Sequence, residues 1–261
     1  MAFLFALKTI TVYFSINIVI TQYMCYNLYT TTKEITMGKN WQVKKDKGYW
    51  WYEDENGKKS ESFKYAGEYS NGFGLVWLIN ERWAYRDVDG ILSDKYPNAW
   101  PYSCGFGLVN LCYDDGSYLY KYRDKKGNLS KGYDDAWPYS CDHGLVKLCY
   151  DDGSYVYAYR DMAGKLSNGY ARAWRYTYGF GLVQLDNGMF AYRDMKGNLS
   201  EEYSWAFPYI DGFGGVKLKN GEFAYRDMDG NLLSESEYSK MMERQKDKIE
   251  PDTEGFFNQK M

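Results

Sequence analysis

The sequence predicts an all-β protein built from six copies of one β-hairpin repeat, followed by a capping helix. Tyrosine (29 residues) and glycine (26) are abundant and proline (5) is scarce, a composition typical of strands and turns. A tyrosine followed by Asp two residues later and Gly five residues later recurs at intervals of 33, 37, 37, 33 and 33 residues. The six tyrosines are Tyr52, Tyr85, Tyr122, Tyr159, Tyr192 and Tyr225.

One complete unit occupies residues 179–200 and divides into two strands and two turns. Residues 180–185 alternate in character as a half-buried strand does, and the Asp-Asn-Gly sequence at 186–188 favours a tight reversal. Residues 189–193 form the returning strand, and the Asp and Gly of 194–197 favour a second turn. Each unit of about 33 to 37 residues is therefore predicted to be a hairpin with a short linking segment.

The alternation assigns one face of the first strand to the core. Val183 and Leu185 fall on one face, whereas Leu182 and Gln184 fall on the other. A single hairpin buries too little surface to be stable, so neighbouring hairpins are expected to stack. The predicted shared core strip consists of Val76, Leu78, Val109, Leu111, Val146, Leu148, Val183, Leu185, Val216 and Leu218. We predict a solenoid-like array over residues 37–233, and a closed ring resembling a propeller is the alternative.

The two ends of the chain lack the repeat. Residues 1–36 contain an uncharged, largely apolar stretch, which indicates either a hydrophobic leader or a mis-assigned N-terminus with translation starting at Met37. A start at Met37 predicts a cytoplasmic protein, and a real leader predicts an exported or membrane-anchored one. Residues 234–250 begin with a capping-box pattern, which predicts a helix that covers the last hairpin. Residues 251–261 are predicted to be a disordered tail.

Linkers of the form Ala-aromatic-Pro-Tyr, or a close variant, separate the hairpins. A proline has no amide donor, so these segments are expected at a sheet edge or in a connection. The four linkers are 99–102, 136–139, 173–176 and 206–209.

The repeat as a whole resembles the bacterial WG-repeat family over about residues 40–235. An aromatic residue and Gly precede an apolar strand, and a second strand then ends in Tyr-x-Asp followed by x-x-Gly. The positions of the family's Trp-Gly pair are occupied by Trp83-Ala84, Tyr120-Lys121, Tyr157-Ala158, Phe190-Ala191 and Phe223-Ala224. The resemblance implies β-structured repeats, and it implies no enzymatic activity.

No catalytic, metal or cofactor site is predicted. His143 is the only histidine, and it occupies a position where sibling units carry phenylalanine, which favours a structural role. The repeated cysteines lie 8 residues apart within a unit and 37 apart between units, a spacing set by duplication rather than by zinc binding. They are Cys104, Cys112, Cys141 and Cys149, and reduced thiols are favoured over disulfides between equivalent residues. The acidic turns lack the full ligand set of a calcium-binding loop.

The charge balance bears on possible partners. With 32 basic and 35 acidic residues, the chain has no basic footprint for nucleic acid. The expected partner is an unknown protein or polysaccharide, and a membrane is expected only if the leader is a real anchor.

The predicted function rests on residues that recur with the repeat. A face lined by aromatics and arginines is expected to bind a protein or an extended ligand, because these residue types are enriched at binding hot spots. The candidate residues are Tyr122, Tyr159, Tyr192, Tyr225, Arg123, Arg160, Arg193 and Arg226. The arginines are expected to form surface ion pairs with the repeated aspartates.

These observations predict a non-catalytic repeat scaffold. The alternative is a carbohydrate-binding or cell-envelope-binding module, since aromatic ring faces can stack on sugars. Residues 48–57 separately resemble choline-binding cell-wall repeats, although those repeats are much shorter than 33 residues. A hydrolase is disfavoured because no acid-base pair stands outside the repeated pattern.

Overall fold

The computed structural model describes residues 40–113 and 115–246, and in these ranges the chain is almost entirely β. Eighteen short strands form six small antiparallel sheets, and one helix follows them within the described residues. The predicted fold class is therefore confirmed. The chain divides after Pro138 into two compact units. The predicted leader, 1–36, and the predicted tail, 251–261, lie outside the described residues.

The first unit contains three sheets. Its strands are β1 (Gln42–Asp46), β2 (Tyr49–Glu53), β3 (Tyr65–Ser70), β4 (Phe73–Trp77), β5 (Trp83–Asp87), β6 (Asn98–Ala99), β7 (Gly107–Cys112), β8 (Tyr118–Arg123) and β9 (Asp135–Ala136). β1 pairs with β2, and the two following sheets have the orders β3-β4-β5 and β6-β7-β8. All of these pairings are antiparallel.

The second unit carries the remaining sheets and the helix. Its elements are β10 (Gly144–Cys149), β11 (Tyr155–Arg160), β12 (Arg172–Ala173), β13 (Gly181–Gln184), β14 (Phe190–Arg193), β15 (Trp205–Ala206), β16 (Gly214–Lys217), β17 (Phe223–Arg226), β18 (Leu232–Leu233) and α1 (Glu235–Lys246). β10 pairs with β11, and the next sheets have the orders β12-β13-β14 and β15-β16-β17-β18.

The linkers add a short strand to the predicted hairpins. Ala99 pairs with Val109 in the first unit, and Ala206 pairs with Val216 in the second. This strand is only two residues long and lies at the edge of its sheet, where a nearby proline removes no essential ladder hydrogen bond. The linkers are therefore edge strands, as their proline indicates.

The second predicted turn forms as expected. In the repeat at 179–200, the Asp194 Oδ1 accepts hydrogen bonds from the backbone N–H groups of Lys196 (2.9 Å) and Asn198 (2.8 Å). Gly197 has a φ of 95°, a conformation that residues with a Cβ rarely adopt. The Asp and the Gly of this motif are thus both required by the turn itself.

Both faces of the central strands are buried, which the alternation of the sequence did not predict. Val183 is 0 % exposed, and its neighbour Leu182 on the opposite face is 1 % exposed. The reason is that consecutive sheets share a core: Leu182 and Tyr192 pack in one cluster with Val216 and Ala224 of the next sheet. The first unit repeats this arrangement between its second and third sheets.

Helix α1 begins with the predicted capping box. The Ser234 backbone N–H donates to Glu237 Oε2 at 2.8 Å, and the Glu237 N–H lies 3.4 Å from Ser234 Oγ. These reciprocal contacts satisfy amide groups that the first helical turn leaves unpaired. Within the described residues, no helix has both the length and the apolar character needed to cross a bilayer.

Helix α1 covers part of the last sheet through Tyr238. The Tyr238 ring stacks on Tyr225, with centroids 3.9 Å apart, and meets the edge of Phe213 at 5.3 Å. In the preceding repeat, Tyr209 contacts the equivalent rings of Phe180 and Tyr192, each at 4.8 Å, but it stacks on the phenylalanine and meets the tyrosine edge-on. Tyr238 therefore contacts the two rings that the tyrosine of a further repeat would contact, with the two ring geometries exchanged, and in this way it caps the last repeat.

Candidate functional site

An Arg–Tyr hydrogen bond recurs in five of the repeats and involves all four predicted arginines. Arg86 Nη1 donates to Tyr69 Oη at 2.6 Å. The corresponding pairs are Arg123–Tyr102, Arg160–Tyr139, Arg193–Tyr176 and Arg226–Tyr209. The expectation that these arginines pair with the repeated aspartates is corrected by this geometry. The aspartates instead cap their own turns, as when Asp124 Oδ1 accepts from the Asn128 N–H at 2.8 Å.

The Arg123–Tyr102 pair shows how each pair is held. Tyr102 Oη donates to the Asp124 carbonyl oxygen at 3.0 Å while it accepts from the guanidinium. Burial raises the pKa of Tyr102 to about 12, although Arg123 opposes the shift, so the phenol stays protonated at neutral pH. The guanidinium also lies 5.7 Å from the Tyr85 ring centroid, and a Cβ on Gly127 would lie 3.1 Å from its Nη2. The Arg123–Tyr102 pair therefore links the turn at residues 124–127 to the preceding sheet.

The structure places most of the predicted tyrosines in the core. Tyr122, Tyr159 and Tyr192 are each 1 % exposed, and Tyr225 is half-buried beneath Tyr238. The hydroxyl groups of the three core tyrosines donate to backbone carbonyl oxygens 15 residues later in the chain, as when Tyr159 Oη donates to the Trp174 oxygen at 2.7 Å. These side chains support the packing of the sheets, and ligand binding by the eight predicted residues stays a prediction.

A second set of aromatics has more exposed surface. These residues lie two positions before each core tyrosine, and we call them the aromatic row: Trp50, Trp83, Tyr120, Tyr157, Phe190 and Phe223. Five of the six occupy the aromatic position of the pairs that resemble Trp-Gly. In the sequence these pairs indicate only the resemblance to WG repeats, although the recurrence of an aromatic at this position was a signal that a shared surface exists.

Four aromatics of the first unit form a continuous patch, which we call the first cluster (Trp50, Tyr65, Trp77 and Trp83). Tyr65 lies between Trp50 and Trp83, with centroid distances of 5.3 and 5.9 Å. Trp77 stacks on Trp83 at 5.9 Å with an interplanar angle of 14°. Lys64 Nζ lies 5.2 Å from the Trp77 ring centroid. Tyr65 is exposed and the three tryptophans are half-buried, so the patch is accessible at its rim.

A depression on the last sheet forms the second patch, which we call the terminal cluster. It is open to solvent and is lined by Ser204, Trp205, Phe207, Lys217 and Phe223. The rings of Trp205 and Phe207 are nearly perpendicular, with centroids 3.9 Å apart. Lys217 Nζ lies 5.3 Å from the Phe223 ring centroid, a distance at which a cation is attracted to the ring face. This patch combines apolar ring surface with one positive charge.

The lone histidine has a packing role. His143 is buried and stacks on Tyr176 with centroids 4.5 Å apart, much as Phe180 stacks on Tyr209. Its Nδ1 lies 3.0 Å from the Cys141 carbonyl oxygen. The four repeated cysteines are in the reduced thiol form. Within residues 40–113 and 115–246, no group of three or more His, Cys, Asp or Glu side chains could hold a metal ion.

Comparisons with known proteins identify no family. No protein-family model and no curated protein matches the sequence. Among solved structures, BamB from Moraxella catarrhalis aligns over 72% of this chain and over 67% of the BamB chain, with 11% sequence identity and a TM-score of 0.34. The WD40 β-propeller domain of Doa1 aligns over 75% of this chain and over 77% of the Doa1 domain, with 10% sequence identity and a TM-score of 0.28. Both TM-scores are too low to carry an argument about this chain. Its own structure is that of a repeat β scaffold with Arg–Tyr pairs and aromatic clusters.

Proposed function

We propose that this chain is a non-catalytic scaffold that binds a partner protein through its two exposed aromatic clusters. The observation that supports this most directly is the contrast between neighbouring positions of one strand. Tyr225 is covered by a stacked ring, whereas Phe223, two residues earlier, is 65 % exposed. A large exposed aromatic costs solubility without improving the core, so a binding role explains its presence better than packing does.

The composition of the clusters favours a protein as the partner. Aromatic residues are enriched in the buried centres of protein interfaces, and tryptophan and tyrosine carry much of the binding energy there. The resemblance to WG repeats supports the same class, because it implies β-structured repeats without enzymatic activity. In this proposal the Arg–Tyr pairs hold the sheets in place, and the clusters make the contacts.

A carbohydrate ligand is the second candidate, and the terminal cluster is the observation that favours it. Its rings of Trp205 and Phe207 are exposed, and the polar side chains of Ser204 and Lys217 line the same depression. Exposed rings beside a hydroxyl and an ammonium group suit sugar hydroxyls as well as peptides.

The experiment is a selection of ligands with the full-length chain. The chain is immobilised and panned against a display library of random peptides, and synthetic copies of enriched peptides are measured by biolayer interferometry. Tyr65→Ser tests the first cluster and Phe223→Ser tests the terminal cluster. We expect at least one substitution to weaken the selected peptides by about tenfold or more, the loss typical of a hot-spot residue.

Tyr118→Ser is the matched control, because Tyr118 is similarly exposed (59 %) but lies at a hairpin tip outside both clusters. It should bind the peptides as the unmodified chain does, and circular dichroism should show the same fold in all variants. Enrichment of no peptide, or peptides that bind all three variants equally, would contradict the proposal. Binding of oligosaccharides from an array in the absence of peptide binding would favour the second candidate.

A further inference from the structure

Two equivalent phenylalanines have very different surroundings. Phe190 and Phe223 occupy the same position of the aromatic row in consecutive sheets, and each pairs across its hairpin with the last residue of the preceding strand. Phe190 is 9 % exposed, whereas Phe223 is 65 % exposed. The difference is therefore not in the repeat itself but in what covers each ring.

The next sheet covers Phe190. Trp205, from the edge strand of that sheet, lies 6.3 Å from Phe190 by ring centroids. Phe190 also packs in one buried cluster with Ala206 and Val216 of the same following sheet. Within the described residues no sheet follows β15–β18, and Tyr238 of α1 stacks on Tyr225, toward the end of β17 that lies away from Phe223. The Phe223 end of the same sheet face is left open.

The other sheets show what fits such an opening. Trp50 is covered by Tyr65 from the edge strand of the next sheet at 5.3 Å, just as Phe190 is covered by Trp205. In both cases the covering group is an aromatic side chain on a short extended segment. The equivalent edge strands of the remaining sheets begin with Asn98, Asp135 and Arg172, so among the described sheets the aromatic cover belongs to these two alone. These two sheets provide a template for the occupant of the terminal cluster: an extended segment that places an aromatic ring on Phe223.

Lys217 adds a requirement for charge. It is half-buried, and its ammonium group contacts the Phe223 ring. In residues 40–113 and 115–246, no carboxylate lies within ion-pair distance of this group, whereas the neighbouring Lys219 already pairs with Glu202 at 3.4 Å. A half-buried ammonium gains most from a partner that supplies a carboxylate, because the protein surface screens the pair less than water does.

We propose that the terminal cluster binds an extended segment of a partner protein in which an aromatic residue stands beside an acidic one. The aromatic ring covers Phe223 as Trp205 covers Phe190, and the carboxylate pairs with Lys217. This inference rests on the proposed scaffold function and names the partner chemistry at one of its two clusters.

The test uses defined peptides rather than a selected ligand. Acetyl-Gly-Trp-Asp-Gly-amide, its Asn version and its Lys version are titrated into the full-length chain, with two-dimensional NMR as the readout. We expect the Asp peptide to bind about twofold to fivefold more tightly than the Asn peptide, as for a partly exposed ion pair, and the Lys peptide to bind most weakly. The preference should decrease as NaCl is raised from about 50 mM to about 500 mM, because salt screens the pair.

Two variants separate the contributions of ring and charge. Lys217→Met keeps the apolar stem, so it should abolish the preference for Asp over Asn while residual binding of both peptides persists. Phe223→Ser should weaken all three peptides together. Lys219→Met is the matched control, since that lysine already has a carboxylate partner, and it should leave the preference for Asp unchanged.

Three outcomes would overturn the inference. One is an equal affinity for the Asp and Asn peptides, or a preference for Asp that survives in Lys217→Met. Another is binding of a cello- or chito-oligosaccharide at this cluster with no binding of the peptides.

The third concerns residues 251–261, whose sequence includes Asp252, Glu254, Phe256 and Phe257. If removing them increases the affinity for the Asp peptide more than about tenfold, the occupant is the chain's own end and not a partner. None of these results would affect binding at the first cluster, so failure here is distinguishable from failure of the scaffold function.

Discussion

The hydroxyl group of Tyr192 lies against Gly214 of the next sheet so closely that a Cβ on this glycine would overlap it. The same hydroxyl donates to the Phe207 carbonyl oxygen at 2.6 Å. The relationship recurs one repeat earlier, where a Cβ on Gly181 would lie 2.5 Å from Tyr159 Oη. The glycine at the start of each of these strands is therefore required by a tyrosine of the preceding sheet and not by a turn.

The first prediction tests this contact. Gly214→Ala should destabilise the chain by about 1 to 3 kcal/mol, because the added methyl group displaces a buried ring and its hydrogen bond. Gly215→Ala, one residue along the same strand, is the control: its Cβ would meet only Phe207, at an ordinary contact distance of 3.4 Å. Urea unfolding should therefore separate the two variants, and equal midpoints would show that the tyrosine does not restrict Gly214.

The second prediction concerns the buried hydroxyl groups. Tyr159→Phe removes the contacts of Oη with the backbone oxygens of Trp174 (2.7 Å) and Leu182 (3.1 Å). We expect a loss of about 1 to 3 kcal/mol, since the Trp174 carbonyl oxygen loses its hydroxyl donor, whereas the Leu182 oxygen keeps the hydrogen bond from the Trp174 N–H at 2.9 Å. Tyr155→Phe, on the same strand, removes an exposed hydroxyl and should leave the thermal midpoint unchanged. A similar change in both variants would mean that the buried hydroxyl contributes nothing specific.

The third prediction concerns strand facing. Val183→Asp should unfold the chain or cost several kcal/mol, because it places a carboxylate at a fully buried position. Gln184→Asp should cost much less, since Gln184 is half-buried and its amide contacts only a turn carbonyl at 3.1 Å. Leu182→Asp should resemble Val183→Asp, because the second face is also covered. Equal melting temperatures for Val183→Asp and Gln184→Asp would contradict the observed packing.

The fourth prediction concerns His143. Replacing it with phenylalanine should preserve the stack on Tyr176 and change the free energy of unfolding by less than about 1.5 kcal/mol, the usual value of one neutral hydrogen bond. Binding of the selected peptides should also be unchanged. His143→Ala, which removes the ring, is the comparison and should be clearly less stable in the same melt. Loss of a measurable turnover in folded His143→Phe would oppose a non-catalytic role.

The fifth prediction concerns alkaline pH. Burial raises the pKa of Tyr102 and of Tyr176 to about 12, and it raises the pKa of Tyr85 and of Tyr159 well above the usual value. An unfolded tyrosine loses its proton near pH ~10, so between about pH 10 and 12 the folded state holds protons that the unfolded state has lost. Stability should therefore be constant up to about pH 10 and fall steeply above it.

Urea midpoints at about pH 8, 9.5 and 11, with phenolate absorbance recorded in parallel, measure this dependence. Because burial raises the pKa of Tyr85, Tyr102, Tyr159 and Tyr176, these four phenols should ionise only as the chain unfolds. A midpoint that stays the same between pH 8 and 11 would contradict the assignment of these rings to a dry core.

Much of the architecture is readable in the sequence, because the signals that specify it are local. Asp194 and Gly197 specify their turn through bonds that reach no further than four residues, and Ser234 and Glu237 specify the start of α1 in the same way. The period of 33 or 37 residues then repeats this local information six times. The all-β class, the repeated units and the helix follow from it.

The roles of the aromatic and charged side chains depend on contacts between sheets. Tyr192 and Phe223 are both aromatic residues of returning strands, yet one is enclosed by the next sheet and the other is open to solvent. The partner of Arg193 is Tyr176, 17 residues earlier in the chain, rather than the adjacent Asp194. Sequence by itself determined the repeat, the turns and the strands, since these depend on neighbouring residues. Only the tertiary structure decided which rings form the core and which remain exposed, because that depends on what the following sheet or helix covers.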